Sequence, residues 1–343
     1  MSGPVRVGVI GAGAVAQVAH LPALSRLDEF ELVSICDNDV AKARSLATRF
    51  EIPDVFDDIE HLLERSKPDA VAVCTPNHLH EVHLKTALAA GAHVLCERPL
   101  GLSLAGVEDV IAEQKRADRV VLVAMQNRFR PDVQAVKQFL DGGELGTLQA
   151  VRTGWFKFKP ARRGLGWRRH RAQSGGGAML DLGLPLVDLA LWMLDWPKPR
   201  HVTASFGPQD GAGAGAGAGA EVEDSGVALI TCEHGVSITV DVSWHYVGDA
   251  VRYWFELLGS EGSGTVSPLA VFKEMHGSPV NVTPTGTSER KNPFTAASIS
   301  LWLHFGALIR GEVERSDLSE QMTVHRVMDA IYRSATTGAP IKL

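Results

Sequence analysis

The segment Val5-Arg6-Val7-Gly8-Val9-Ile10-Gly11-Ala12-Gly13-Ala14-Val15-Ala16 constrains this chain more than any other. Val5–Ile10 is a short apolar run rich in β-branched residues, the pattern of a strand buried on both faces. It runs into Gly11-x-Gly13-x-x-Ala16 and then into an amphipathic helix that offers Val15, Val18, Ala19, Leu21, Ala23 and Leu24 for packing. Gly11 permits the tight turn, Gly13 lets backbone N–H groups approach a pyrophosphate, and Ala16 is small enough for close strand–helix packing. Ala14 and Val15 lie at the helix N-terminus, where unsatisfied N–H groups favour an anion. The segment predicts a dinucleotide cradle made of Gly11, Gly13, Ala14, Val15 and Ala16.

A second strand, Phe30–Cys36, ends at Asp37. An acidic residue about 20 positions past such a motif is placed to accept hydrogen bonds from the adenosine ribose, and it repels a 2′-phosphate. Asp37 therefore predicts NAD rather than NADP. It would also serve as a turn residue at the strand end.

At 343 residues the chain is long for one core and suits two domains. A net charge of −6 makes no case for a nucleic-acid partner. No apolar run reaches the ~20 residues of a membrane span, and the N-terminus has no signal-peptide pattern. Cys36, Cys74, Cys96 and Cys232 form neither a CxxC nor a zinc spacing, and read as buried residues of a reducing cytoplasm.

Strand and helix patterns alternate through the first half: strands at Asp54–Phe56, Ala70–Cys74, His93–Cys96 and Val120–Ala124, with helices at Val40–Phe50, Ile59–Arg65, up to Ala90, and Leu104–Ala117. This predicts a doubly wound parallel sheet over residues 1–124. Ligands gather at the C-terminal ends of such strands, which selects, beside the glycine loop and Asp37, the clusters Thr75–His80, Glu97–Pro99 and Gln126–Arg128. Residues 125–343 read as a second, α+β domain. Strands at Leu148–Phe158, His201–Phe206, Val227–Cys232, Ser237–Tyr246, Arg252–Leu258 and Gly264–Val266 predict a large, mostly antiparallel open sheet. Helices are expected at Asp132–Leu140, Ala178–Leu194, Pro293–Ile309 and Ser319–Thr336. The alternating tract Gly211–Ala220 reads as a hairpin loop. His78, His80 and His83 lack the further ligands that a metal site needs, so none is expected.

These residues carry a family resemblance. Glu97-Arg98-Pro99 resembles the Glu-Lys-Pro motif of the Gfo/Idh/MocA oxidoreductases, and Ser174–Asp188 resembles their GGG-x-x-x-D-x-G-x-H-x-x-D segment. Thr75-Pro76-Asn77 with His80, and Gln126-x-Arg128-Phe129, match as well, and the likeness covers nearly the whole chain. It implies a Rossmann domain followed by a domain with a large open sheet. It also implies hydride transfer between a nicotinamide and a hydroxyl-bearing carbon of a sugar, polyol or sugar-acid-like compound, and a homodimer or homotetramer formed through that sheet. Thr75, Pro76, Asn77, His80, Glu97, Arg98 and Gln126 join the expected cofactor set, and Arg98 and Asp181 the catalytic one.

Two positions depart from the family. Arg98 stands for the motif lysine, and Pro185 stands for a histidine four residues after Asp181 that serves as acid/base in many members. Arginine stays protonated and proline has no proton, so neither can shuttle one, although Arg98 can polarise an oxygen. Asp181 is the first candidate for the missing role; His170, Tyr246, His245, Lys157 and Lys159 are others. The departures leave open two further readings: an NAD-binding sensor or regulator with impaired catalysis, and an enzyme that uses tightly bound NAD for transient oxidation. From Arg152 to Leu180 there is no acidic residue, while Lys157, Lys159, Arg162, Arg163, Arg168, Arg169 and Arg171 are basic. This stretch suits an anionic group on the substrate, with Arg128, Arg163, Trp167, Arg168 and Asp181 as the expected contacts.

Overall fold

The computed structural model describes residues 3–158, 166–207, 221–285, 293–315 and 317–343. Arg163, Lys159, Arg162 and the Gly211–Ala220 tract lie outside the described residues. The chain forms two compact units. The first takes the residues up to Phe129 together with Phe294–Met322, the second Arg130–Pro293 with Thr323–Leu343. A cut at residue 124 thus misses a returning segment. The reason is packing: Leu301, Trp302, Phe305 and Leu308 are buried in one core with Val5, Val7, Leu21 and Phe30.

In the first unit six strands, β1 (Val5–Ile10), β2 (Phe30–Cys36), β3 (Asp54–Phe56), β4 (Ala70–Val73), β5 (His93–Cys96) and β6 (Val121–Val123), form one sheet. Its order is β3-β2-β1-β4-β5-β6 and every pair is parallel. The connections reverse direction between β1 and β4, so the loop after β1 opens at the switch point where such sheets bind ligands. Asp39, Asp58 and Ser103 cap the helices Val40–Phe50, Ile59–Ser66 and Leu104–Ala117 by accepting from backbone N–H groups.

The helix after the glycine loop begins as a π turn, Ala16–His20, and only then becomes α, Leu21–Leu24. Pro22 explains it: proline has no N–H to give residue 18, and its ring would strike that carbonyl in a regular helix. The widened turn, in which the Leu21 N–H reaches Ala16 O, avoids the clash. It also turns Val18 out to 71% exposure, against the expectation that it packs.

The second unit holds nine strands: β7 (Leu148–Phe158), β8 (Pro199–Phe206), β9 (Ser225–Cys232), β10 (Ser237–Tyr246), β11 (Arg252–Gly259), β12 (Gly262–Val266), β13 (Ala270–Met275), β14 (Ser278–Asn281) and β15 (Ile341–Lys342). Their order is β14-β13-β12-β11-β7-β10-β9-β8-β15, antiparallel except for β7 with β10. Alternate residues of β10, Ile238, Val240, Val242 and Trp244, are buried, and the helix Leu184–Met193 packs on β7 and β10. Arg171–Met193 has the length and hydropathy of a membrane span, but its apolar window is 89% buried in the unit, as befits a core helix. The same π-then-proline device recurs here. Met179–Gly183 is a π turn, the Leu184 N–H reaches Met179 O, and Pro185 sits in the first turn of the next helix.

Candidate active site

Gly11 has φ +99°, and a Cβ there would lie 2.8 Å from the Cys74 carbonyl, so only glycine fits. At Gly13 the nearest atom to a Cβ is Cys74 O at 3.7 Å. The protein's own packing therefore does not demand glycine at 13; what a side chain would crowd is a molecule lying over the loop. That is the fit expected of a dinucleotide cradle. Ala14 is exposed, Val15 half-buried and Ala16 buried.

Asp37 is tied into this cradle. Its Oδ2 accepts from the Ala12 N–H at 2.6 Å, its Oδ1 from the Asp39 N–H at 2.9 Å, and Lys42 Nζ stands 3.4 Å away. The carboxylate thus holds the glycine loop as well as standing at the end of β2.

The next two strand ends are stapled together by His80. It is buried, with Nδ1 2.7 Å from Pro99 O and Nε2 2.8 Å from Thr75 O. Burial lowers its pKa despite these two carbonyls and the nearby Glu97. Both ring nitrogens face backbone, so His80 fixes the Thr75-Pro76-Asn77 turn against the Glu97-Arg98-Pro99 turn. Thr75 Oγ1 lies 3.1 Å from His83 Nδ1, and Pro76 and Asn77 are half-buried. Among the described residues no three His, Cys, Asp or Glu side chains cluster as a metal site.

Glu97 is the centre of a buried knot. Its Oε1 lies 2.9 Å from both His20 Nε2 and Gln126 Nε2. Burial opposes its charge, but the hydrogen bond from His20 and the charge of Arg98 hold its pKa below the usual carboxylate value. Trp302 Nε1 donates to His20 Nδ1 at 3.2 Å. Burial opposes a charge on His20 as well, and Cys74 and Glu97 outweigh it, pushing its pKa up to about 10. Against that second proton stands Trp302: an indole can only donate, and it needs the Nδ1 lone pair. The indole geometry favours the singly protonated ring, with its proton on Nε2 facing Glu97. Arg98 is half-buried beside this carboxylate, and the Arg98–Pro99 peptide is cis. Arg128, expected at the substrate, donates to Glu320 Oε2 at 2.8 Å within the same unit.

The second unit carries its own constellation. Asp181 lies in the π turn, and its Oδ2 accepts from Lys157 Nζ at 2.8 Å and from Trp244 Nε1 at 2.9 Å. Pro185, one turn on, is buried. The Arg168 guanidinium stacks 4.5 Å above the Trp167 ring. His245 alternates with Trp244 on β10 and so points to the opposite face, 3.4 Å from Asp224.

Sequence reasoning missed His20, Trp302, Glu223 and Tyr332. Glu223 is buried and its Oε1 accepts from the Gly177 N–H, the Met179 N–H and Tyr332 Oη at 2.9, 3.0 and 2.7 Å. Burial raises its pKa, against the hydrogen bond from Tyr332. A Cβ at Gly177 would sit 1.9 Å from Glu223 O, and one at Gly176 2.0 Å from Tyr332 Oη. Gly176 and Gly177, ahead of Asp181, are therefore required by this anchor.

Comparison with known proteins agrees with this layout. Residues 5–125 match the family model described as "Oxidoreductase family, NAD-binding Rossmann fold", and residues 133–265 match "GFO/IDH/MocA C-terminal domain". The chain is 26% identical to D-glucoside 3-dehydrogenase of Escherichia coli (strain K12), over 100% of this chain and 98% of that protein. Among solved structures it is similar to GenD2 from gentamicin A biosynthesis in complex with NAD, with TM-score 0.84, 27% identity, and 100% and 97% of the two chains covered. It shares the fold of levoglucosan dehydrogenase in complex with NADH and levoglucosan, with TM-score 0.86, 21% identity, and 99% of each chain covered.

Proposed function

Because the chain belongs to the Gfo/Idh/MocA oxidoreductase family, we propose that it is an NAD-dependent dehydrogenase whose substrate carbon alternates between hydroxyl and carbonyl on a sugar, polyol or sugar-acid-like compound. The relatives named for D-glucoside and levoglucosan oxidation favour the sugar class. The observation that carries the reading is an intact dinucleotide cradle, Gly11 to Ala16 with Asp37, on a chain that also holds an oriented Lys157–Asp181 pair. When bound, the nicotinamide supplies the hydride-accepting carbon.

The chain's own residues divide the remaining work. The N–H groups of the Gly11–Ala16 turn would bind the pyrophosphate, and the Asp37 carboxylate the adenosine ribose. Thr75, Pro76, Asn77, Glu97, Arg98 and Gln126 would line the nicotinamide half, with His80 holding two of their loops together. Arg98 keeps its charge throughout and stabilises negative charge developing on the substrate oxygen. Asp181, held by Trp244, orients the polar face of the second unit. Arg168 and its neighbours in the basic stretch suit a carboxylate or phosphate on the substrate. Self-assembly as a homodimer or homotetramer through the nine-stranded sheet is part of the proposal. Val227 and Leu229 on β9 point away from the buried positions of that strand and are 48% and 42% exposed; light scattering tests it.

Purified protein should show cofactor absorbance and form NADH over a panel of sugars, polyols and sugar acids. Cofactor binding with no turnover across the panel would favour a sensor role. Product formation with no net NADH change would favour transient oxidation.

A further inference from the structure

The adenosine ribose carries a 2′-hydroxyl in NAD and a 2′-phosphate in NADP, so the side chains at the end of β2 decide which of the two is held. A lone aspartate there favours NAD in two ways: it accepts from the ribose hydroxyl, and it repels a phosphate. Asp37 does neither in full. Its Oδ2 accepts from the Ala12 N–H at 2.6 Å and stands 3.4 Å from Lys42 Nζ, and its Oδ1 accepts from the Asp39 N–H at 2.9 Å. A carboxylate has about four lone-pair sites, and these contacts use three of them. One is left for a ribose hydroxyl, and the charge that would repel a phosphate already faces an ammonium.

Lys42 is held beside Asp37 by the local fold. It is the third residue of the helix Val40–Phe50, and its N–H donates to the capping Asp39 Oδ1 at 3.1 Å. The Asp39 carboxylate is thereby engaged with the helix. From this fixed backbone a flexible stem carries Nζ back to Asp37, and the lysine is the outward member of the pair, with its side chain 37% exposed against 12%. An ammonium has three donors, of which one serves Asp37, and it can turn by a rotamer toward an anion at the same strand end. Strand end, cap and lysine all belong to the first unit.

We propose that Asp37 and Lys42 together form a ribose selector that admits NADP beside NAD, with Lys42 as the ligand of the 2′-phosphate; the inference rests on the dinucleotide reading above. Toward NAD, Lys42 stays on Asp37, and the remaining Oδ1 lone pair accepts from a ribose hydroxyl. Toward NADP, the ammonium pairs with the phosphate and offsets the carboxylate that would otherwise reject it.

The test is titration of the full chain with NADH and with NADPH, read by the fluorescence of the reduced nicotinamide, for wild type, Lys42→Met, Lys42→Arg and Asp37→Asn. The quantity compared is the ratio of the Kd for NADPH to that for NADH, in which a general loosening of the fold cancels. Wild type should give a ratio below about tenfold. Lys42→Met should raise it by about 10–100-fold, the loss of one charge-assisted hydrogen bond. Lys42→Arg should stay within about threefold of wild type, because a guanidinium also pairs with phosphate, and Asp37→Asn should lower the ratio. Competition of adenosine 2′,5′-bisphosphate and of 5′-AMP against NADH isolates the adenosine end. Raising salt from about 0.05 to about 0.5 M should weaken the bisphosphate more than 5′-AMP in wild type, and much less so in Lys42→Met. A wild-type ratio above about tenfold, or a Lys42→Met ratio within about twofold of wild type, overturns the proposal, while the dehydrogenase reading stands on NADH binding. Wild type that binds neither cofactor overturns both.

Discussion

Replacing His20 by leucine tests the buried knot that holds Glu97. His20 is wholly buried and serves two partners, Glu97 Oε1 at 2.9 Å and Trp302 Nε1 at 3.2 Å. Leucine removes a hydrogen bond to a charged group, about 1.5–3 kcal/mol, and leaves the indole N–H unpaired, about 1–3 kcal/mol more. Its extra apolar surface returns roughly 1 kcal/mol. The net loss is about 3 kcal/mol, and at about 2–4 °C per kcal/mol the melting temperature should fall by about 6–12 °C. Trp302→Phe breaks only the indole bond and should cost less. A double-mutant cycle of the two should return a coupling of about 1–2 kcal/mol, since both changes remove the same contact. Calorimetry on the four proteins is the assay. A His20→Leu shift under 2 °C, or strict additivity, would refute the claim that this network holds the turn carrying Glu97 and Arg98.

Gly177→Ala should destabilise by about 3 kcal/mol or more, because its Cβ would meet Glu223 O at 1.9 Å, and it should cost turnover by displacing Asp181; thermal melts and kcat on one preparation check both. His93 should make stability pH-dependent. Its Nδ1 accepts from the Val120 N–H at 2.9 Å, and burial, reinforced by Arg119 and Arg315, lowers its pKa from 6.5 to about 4. The unfolded chain then binds the proton more readily, so this contribution is intact above pH 6.5 and drains away as pH falls to about 4, by about 3 kcal/mol in all. Urea melts at pH 7 and pH 4.5 should show a smaller loss for His93→Asn than for wild type, and equal losses would count against it. Arg168→Ala should raise KM for acidic substrates more than for neutral ones; equal effects would remove Arg168 from anion recognition.

The parallel sheet was readable because each of its strands is a brief, continuous apolar run between helices, and only strand ends moved by a residue or so. The pair β13 and β14 was not, since Ser278–Asn281 is wholly exposed and shows no alternation. What marks it is the turn, His276 and Gly277, both at positive φ. The cradle was legible in its glycines, and Asp37 in its distance from them. The Glu97 and Asp181 supports were not. His20 meets Trp302 across 282 positions and Glu223 meets Gly177 across 46, and neither motif contains its partner. His20 reads as one histidine on an apolar helix, and Glu223 as an acid beside a loop, until the fold brings them together.

As the dehydrogenase proposed above, this chain would move hydride directly between a substrate carbon and NAD. Incubating the protein with NAD and a substrate from the panel deuterated at its carbinol carbon, then reading the nicotinamide by NMR, tests that step itself. Direct transfer places deuterium at C4 of the NADH formed. NADH without deuterium, or a product with no reduced cofactor at any time, would contradict it.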